Sequence, residues 1–182
     1  MKTMGKRQKL SRRGFLAASS GAAVGVALVT SAGMVSSRSG AWAMEVTALK
    51  PETMATLIQF ARDIYPHDQI ADRYYAKAVK GHEEQAAKDE AHKAIIEEGI
   101  AELDRLAAEA GSTDGYRGLG WEADRTAILH SISTTPFFQT IRGNLVVSLY
   151  NQKEIWPLFG FEGESADKGG YITRGFDDID WI

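Results

Sequence analysis

The chain has 182 residues, no cysteine and a formal net charge of −3. Without cysteine it forms no disulfide and cannot hold a c-type haem or an iron–sulfur cluster through thiolates, which excludes an electron-carrying subunit of that kind. All 24 acidic residues follow position 43, so the chain from Met44 onward carries a net charge of −10. Such an acidic domain argues against a nucleic-acid partner, which needs a basic surface.

The first 43 residues are typical of a twin-arginine export signal, which predicts a periplasmic protein and the twin-arginine translocase as a partner. The motif consists of adjacent arginines, a spacer, an aromatic residue and a leucine: Arg12, Arg13, Phe15 and Leu16. An uncharged, small-residue stretch over 14–35 follows the motif. Ala41 and Ala43 then form a small-x-small pattern that predicts cleavage before Met44. The alternative is an uncleaved leader that anchors the protein in the membrane.

Five amphipathic helices are predicted after the leader, in an all-α domain over residues 44–150. The first helix begins at Pro51 and ends before Pro66. The next three cover 72–79 (ending near Gly81), 84–110 and 121–132, and the fifth begins at Pro136, after Thr135. Their inward residues recur at steps of three and four: Met54, Leu57, Ile58, Ala61 and Ile64; Ile96, Ile100, Leu103 and Ala107; Ile128, Leu129 and Ile132; Phe137, Ile141, Leu145 and Leu149. No period-two alternation of useful length is present, which is why the domain is predicted to be all-α.

The C-terminal tail, residues 151–182, has a different composition and no helical periodicity. It interleaves glycines with six large aromatic residues: Trp156, Phe159, Phe161, Tyr171, Phe176 and Trp181. Each aromatic side chain buries about 150–250 Å² when it packs, so leaving them all in water is unfavourable. The tail therefore packs on its own helices, as part of the same domain, or contacts a partner, and both interpretations stay open.

No catalytic, cofactor-binding or metal-ligating residue can be assigned from the sequence. Asp89 and His92 are three positions apart on one helix face, as in carboxylate-bridged di-metal bundles, but such bundles need this motif twice and two further inward carboxylates. The segment is rich in charged residues and is predicted to face solvent. Asp177, Asp178 and Asp180 are interrupted by apolar residues, which does not fit a calcium loop.

Four segments resemble the gluconate 2-dehydrogenase subunit 3 family. They are Thr135-Pro136-Phe137-Phe138, Leu149-Tyr150-Asn151, Trp156 to Gly163 and Gly169 to Trp181. The resemblance runs from about Pro51 to the C-terminus, and its most specific part is the tail. A twin-arginine leader is also typical of the family.

The resemblance implies a small, non-catalytic subunit that holds no cofactor of its own. Its partner would be a large FAD-dependent dehydrogenase of the glucose–methanol–choline type that acts on a sugar, a glycoside (a glycoside 3-dehydrogenase, for example) or a sugar acid. The small subunit would escort the folded, flavin-loaded partner through export, and a cytochrome c or a similar electron acceptor often completes such complexes. Partner contacts are then expected at Trp156, Phe161, Tyr171, Phe176 and Trp181, with Arg174 and Asp180 at the rim.

Two other hypotheses come from different classes. The first is a stand-alone periplasmic enzyme with a helical di-metal site, which requires histidine and carboxylate ligands in one pocket. The second is a membrane-anchored scaffold that keeps its leader. Metal analysis distinguishes the first from the escort hypothesis, and the mass of the mature N-terminus distinguishes the second.

Overall fold

A computed structural model describes residues 28–29, 33–37, 43–173 and 176 of the chain. Five α-helices form most of this part: α1 (Pro51–Ile64), α2 (Asp72–Ala86), α3 (Glu90–Glu109), α4 (Glu122–Ser131) and α5 (Pro136–Ser148). Short 3₁₀ helices lie at Tyr116–Gly118, Lys153–Phe159 and Ala166–Lys168. The all-α class predicted from the sequence is confirmed. In the described ranges no helix combines the length and apolar character that crossing a membrane requires.

Local capping signals set the helix ends. Pro51 is the first residue of α1, and α1 ends ahead of Pro66, as predicted. The predicted boundary between the second and third helices is wrong, because α2 continues through Gly81 to Ala86 and α3 begins only at Glu90. The reason is Asp89, whose carboxylate accepts hydrogen bonds from the first free amides of α3 and so acts as an N-cap.

The core lies between α1 and the other four helices. The inward residues predicted from the helical periodicity are buried, apart from Ile64, which is partly buried. Phe60 of α1 is at the centre of an aromatic cluster, with its ring stacked on Phe137 at 4.8 Å between centroids. The rings of Tyr116 and Phe138 meet it edge-on at 6.3 and 6.0 Å. Such pairs add to the hydrophobic stabilisation of a core.

Gly99 of α3 lies against the Phe137 ring of α5, which makes this glycine a stability determinant. A Cβ atom at Gly99 would overlap Cγ of Phe137, whose ring also stacks on Phe60. We expect Gly99→Ala to lower the free energy of unfolding by about 1–3 kcal/mol through overpacking, even though alanine is the better helix former. Urea denaturation of the purified protein measures this change.

Gly81→Ala is the matched control, because Gly81 also lies within a helix but a Cβ atom there would have no described atom within 4 Å. This substitution is expected to raise the free energy of unfolding by about 0.5–1 kcal/mol. Equal effects of the two substitutions would contradict the steric explanation.

A small antiparallel sheet precedes the helices. Its strands are β1 (Leu28–Val29), β2 (Met34–Ser36) and β3 (Ala43–Glu45), in the order β1-β2-β3. Val35 pairs with Met44, both side chains are buried, and the sheet packs against α1. Strands of two or three residues are too short to show a period-two pattern in the sequence, and this small sheet leaves the all-α class unchanged. Of the two predicted cleavage residues, Ala43 lies in β3, and Ala41 is outside the described residues.

A buried carboxylate holds the segment between the sheet and α1. Glu83 of α2 accepts hydrogen bonds from three consecutive amides, those of Thr47, Ala48 and Leu49, at 2.6, 2.7 and 2.9 Å. Burial alone would raise the pKa of Glu83, but the hydrogen bonds from these amides outweigh burial and lower the pKa. Glu83 is therefore ionised at neutral pH and fixes the chain direction ahead of α1.

Glu97 of α3 holds the first turn of α1 in a similar way. Its carboxylate accepts hydrogen bonds from the Lys50 amide at 2.8 Å and from the Thr53 hydroxyl at 2.6 Å. The amides at a helix start have no partner within the helix, so these contacts replace a capping side chain, which Lys50 does not provide.

A second buried network joins α1 to α4. Asp63 accepts hydrogen bonds from Arg125 Nε at 3.0 Å, from the Tyr116 hydroxyl at 2.8 Å and from Gln59 at 3.0 Å. Arg125 also donates to the Leu119 carbonyl at 2.6 Å. Burial and the nearby Asp63 carboxylate raise the pKa of the Tyr116 hydroxyl, which therefore stays a donor at neutral pH. In this network the two buried charges, those of Asp63 and Arg125, form an ion pair with each other.

Candidate functional site

An exposed apolar patch lies where the end of α5 meets the start of the tail. We define the apolar patch as Val146, Val147, Leu158, Phe159 and Phe161. The most exposed of these side chains is Val147, at 63%, and the least exposed are still 42% exposed. Contiguous apolar surface of this kind costs solvation free energy in a monomer, and it marks interaction sites in soluble proteins.

A groove of about 620 Å³ runs across the patch. Its lining is mostly aliphatic and aromatic: Val146, Val147, Tyr150, Asn151, Trp156, Phe159 and Phe161. Asn151 supplies the amide group of this lining. A groove with this composition suits an apolar side chain from another protein better than a charged small molecule.

Trp156 holds the floor of the groove in place. Its indole nitrogen donates a hydrogen bond to the Tyr150 carbonyl at 2.8 Å, and its ring meets that of Phe161 edge-on at 5.1 Å. The neighbouring Ile155 is fully buried in the core. Gly160 ends the 3₁₀ helix with a φ of +71°, a conformation that favours glycine. The resulting turn returns the chain so that Phe161 faces Trp156.

His67 and Tyr150 form a polar contact beneath the patch. The His67 Nε2 atom and the Tyr150 hydroxyl are 2.7 Å apart, and the His67 ring also packs edge-on against Phe159 at 5.1 Å. Burial, and then the positive charge of Arg62, lower the pKa of His67. His67 is therefore predominantly neutral at pH 7.

The structure places the predicted contact residues in different positions. Trp156 and Phe161 lie together at the groove. Tyr171 and Phe176 are well exposed but do not line the groove. Three other predicted contacts, Arg174, Asp180 and Trp181, lie outside the described residues, as do the targeting residues Arg12, Arg13, Phe15 and Leu16.

Sequence reasoning missed Val146, Val147 and Leu158. The two valines follow Leu145 of the buried stripe of α5 but point away from it, so they are apolar residues off the inward face of a helix. Apolar residues that lie off the inward face of a helix indicate an exposed apolar surface, and this signal was present in the sequence. Leu158 stands between two proposed aromatic contacts, but its exposure depends on the 3₁₀ turn.

The Asp89–His92 motif has a structural use. Asp89 caps α3, and His92 turns inward to a buried contact with His82, whose Nδ1 atom lies 3.1 Å from His92 Nε2. The expectation that this segment faces solvent is therefore wrong for His92, which is buried. Within the described ranges no three His, Asp or Glu side chains are grouped as metal ligands would be. Asp177, Asp178 and Asp180 lie outside those ranges.

The buried His82 predicts a pH dependence of stability. Burial, and then the neighbouring His92, lower the pKa of His82 from 6.5 to about 4. A histidine with a lowered pKa in the folded state stabilises the fold above its unfolded pKa, and this contribution is lost as the pH falls. We therefore expect the free energy of unfolding to fall by about 2–3 kcal/mol between pH 6.5 and 4 on account of His82.

Urea denaturation at several pH values across this window measures the slope. His82→Gln is expected to flatten it, whereas His130→Gln should leave it unchanged because His130 is exposed. The difference between the two variants therefore reports on His82 together with the His92 ring that it contacts. A His82→Gln protein with the full slope would contradict the prediction.

The described part of the chain is thus a small all-α domain with an exposed apolar patch, a class of molecule suited to binding another protein. No protein-family model, curated protein or solved structure gives a match to this chain.

Proposed function

We propose that this chain is the non-catalytic small subunit of a periplasmic FAD-dependent dehydrogenase complex. In this proposal it escorts the folded catalytic subunit, of the glucose–methanol–choline type, through the twin-arginine pathway and then stabilises it. The observation that supports the proposal most directly is the apolar patch. Three of its members, Leu158, Phe159 and Phe161, belong to the segment Trp156 to Gly163 that carries part of the family resemblance.

The aromatic residues of the patch and the charged residues around it support a protein partner. Aromatic anchors at the centre of an interface, surrounded by polar residues, are the usual arrangement in stable complexes. Near the patch, Lys153 pairs with Glu164 at 2.9 Å and Lys77 pairs with Glu154 at 3.3 Å, and these side chains are exposed. Such pairs add little stability to a monomer, but they suit the polar rim of an interface.

Affinity purification of the tagged protein from its native periplasm, followed by mass spectrometry and absorption spectroscopy, tests the proposal. A larger, yellow flavoprotein is expected to co-purify, and substrate screening of that complex then identifies the sugar, glycoside or sugar acid. A lone colourless protein under gentle conditions would contradict the proposal. A lone protein with stoichiometric metal would favour the di-metal enzyme instead.

Variants of the patch show whether it is the contact surface. Val147→Asp places a charge in the patch, and we expect it to weaken partner binding at least about tenfold because the charge must be desolvated. The matched control is Trp121→Ala, which removes an aromatic residue that is 78% exposed at the start of α4. Both variants should keep the circular dichroism of the parent protein. If Val147→Asp and the parent protein retain the partner equally well, the partner does not bind at the patch.

A further inference from the structure

The predicted cleavage junction lies within the small sheet. Ala43 and Met44, on the two sides of the scissile bond, belong to β3 and pair with Ser36 and Val35 of β2. Beyond the strand, the Val46 amide donates to the Gly33 carbonyl at 2.9 Å. Strand β2 of the leader is therefore paired with the first residues of the mature chain.

Side-chain packing holds this part of the leader on the domain. Val35 is fully buried and Met44 is 9% exposed, and both β1 and β2 contact α1. The chain directly after the sheet is held by Glu83, which binds the amides from Thr47 to Leu49. The junction is consequently bounded by a packed leader strand on one side and a fixed backbone on the other.

We propose that strands β1 and β2 of the leader fold as part of the domain before processing and shield the Ala43–Met44 bond, so that a signal peptidase cuts only those molecules in which the sheet has opened. This inference rests on the proposed export function. Strand β3 is an edge strand, but its backbone groups that face β2 are already paired and the Met44 side chain is buried. A protease that must contact those groups in an extended substrate therefore requires the sheet to open first. Local opening of a short sheet is less costly than global unfolding.

The reaction itself is a hydrolysis. One water molecule is consumed, the bond between the Ala43 carbonyl carbon and the Met44 nitrogen breaks, and a carboxylate and a free amino group result. The new N-terminus then lies three residues ahead of Thr47, the first residue bound by Glu83. The contacts between Glu83 and the amides of Thr47 to Leu49 lie within the mature chain and remain after cleavage, whereas α1 loses its contacts with β1 and β2 when the leader departs.

Cleavage of the full chain in detergent micelles by a purified signal peptidase tests the proposal, with mass spectrometry of the products. A peptide covering residues 24–50 provides the unshielded reference. We expect the folded chain to be cut at Ala43–Met44 at least about tenfold more slowly than the peptide, because the rate follows the open population. Val35→Asn, which disrupts the buried pair, should bring the folded chain to within about threefold of the peptide.

Two controls isolate shielding from signal recognition. The Val35→Asn peptide should be cut as fast as the parent peptide. Met34→Asn changes the neighbouring residue of β2, whose side chain is exposed, and should leave the rate for the folded chain unchanged. Hydrogen exchange adds a direct measurement, since the Val46 amide should be protected in the precursor and lose that protection after cleavage.

Three results would overturn the inference. They are equal cleavage rates for the folded chain and the peptide, a Val35→Asn chain that stays folded and is still cut slowly, and a peptide that is not cut at Ala43–Met44. None of these results depends on a dehydrogenase partner. A failure of the partner to co-purify would count against the proposed function and leave these rates unaffected.

Discussion

Arg125→Met is expected to lower the free energy of unfolding by about 3–5 kcal/mol, the largest effect of any single change considered for this domain. The substitution keeps the approximate length of the side chain but leaves the Asp63 carboxylate without its cation. Asp63 and Arg125 have side chains only 6% and 9% exposed, so water cannot replace the lost partner. Urea denaturation at pH 7 measures the change.

The double variant Asp63→Asn with Arg125→Met is expected to recover part of this loss, because it removes both buried charges. A surface pair provides the matched control. Lys77 and Glu154 are more than half exposed, so Lys77→Met should change the free energy of unfolding by less than about 1 kcal/mol. A comparably small effect of Arg125→Met would contradict the view that the buried Asp63 carboxylate depends on Arg125.

Glu83→Gln is expected to lower the free energy of unfolding by about 2–4 kcal/mol. The substitution preserves the shape of the side chain but removes the negative charge that binds three amides. It also replaces one accepting carboxylate oxygen with an NH₂ group, which cannot accept a hydrogen bond from an amide. The Glu83 residue is only 6% exposed, so the amides of Thr47, Ala48 and Leu49 gain little from water instead. Chemical denaturation of the purified protein at pH 7 measures the loss.

Its neighbour Glu84 offers a matched control, because the Glu84 side chain is 61% exposed and lies 3.9 Å from Lys80. Glu84→Gln should change the free energy of unfolding by less than about 0.5 kcal/mol.

The pKa of Glu83 is lowered in the folded state from 4.5. The contribution of Glu83 to stability is therefore present above pH 4.5 and is lost as the pH falls through the folded pKa. The difference between the parent and Glu83→Gln should therefore shrink in acid, and a constant difference would argue against a charge effect.

Local signals in the sequence predicted most of the helical framework. The proline at the start of α1 and the Thr135-Pro136 pair at the start of α5 act within one turn, so their effect can be read without the rest of the fold. The boundary between α2 and α3 was mispredicted because two local signals compete there. Gly81 is tolerated inside α2, where no described atom crowds it, and the Asp89 cap decides where α3 begins.

Features that depend on distant partners could not be predicted in the same way. Asp63 and Arg125 are 62 positions apart, and no pattern in either segment indicates that they meet. The strands of the sheet are short, and their pairing depends on contacts with α1. For the candidate site, the aromatic composition of the tail predicted Trp156 and Phe161, but the valines of α5 join them only because the tail folds back across that helix.

The two carboxylates that hold the start of α1 also determine how the domain responds to force. Tension applied to the chain ahead of Thr47 does not reach α1 alone, because Glu83 anchors the segment to α2 and Glu97 anchors the next turn to α3. The pull is thus divided among three helices that pack on one another. A domain gripped by its N-terminal end and drawn through a pore would resist unwinding from that end.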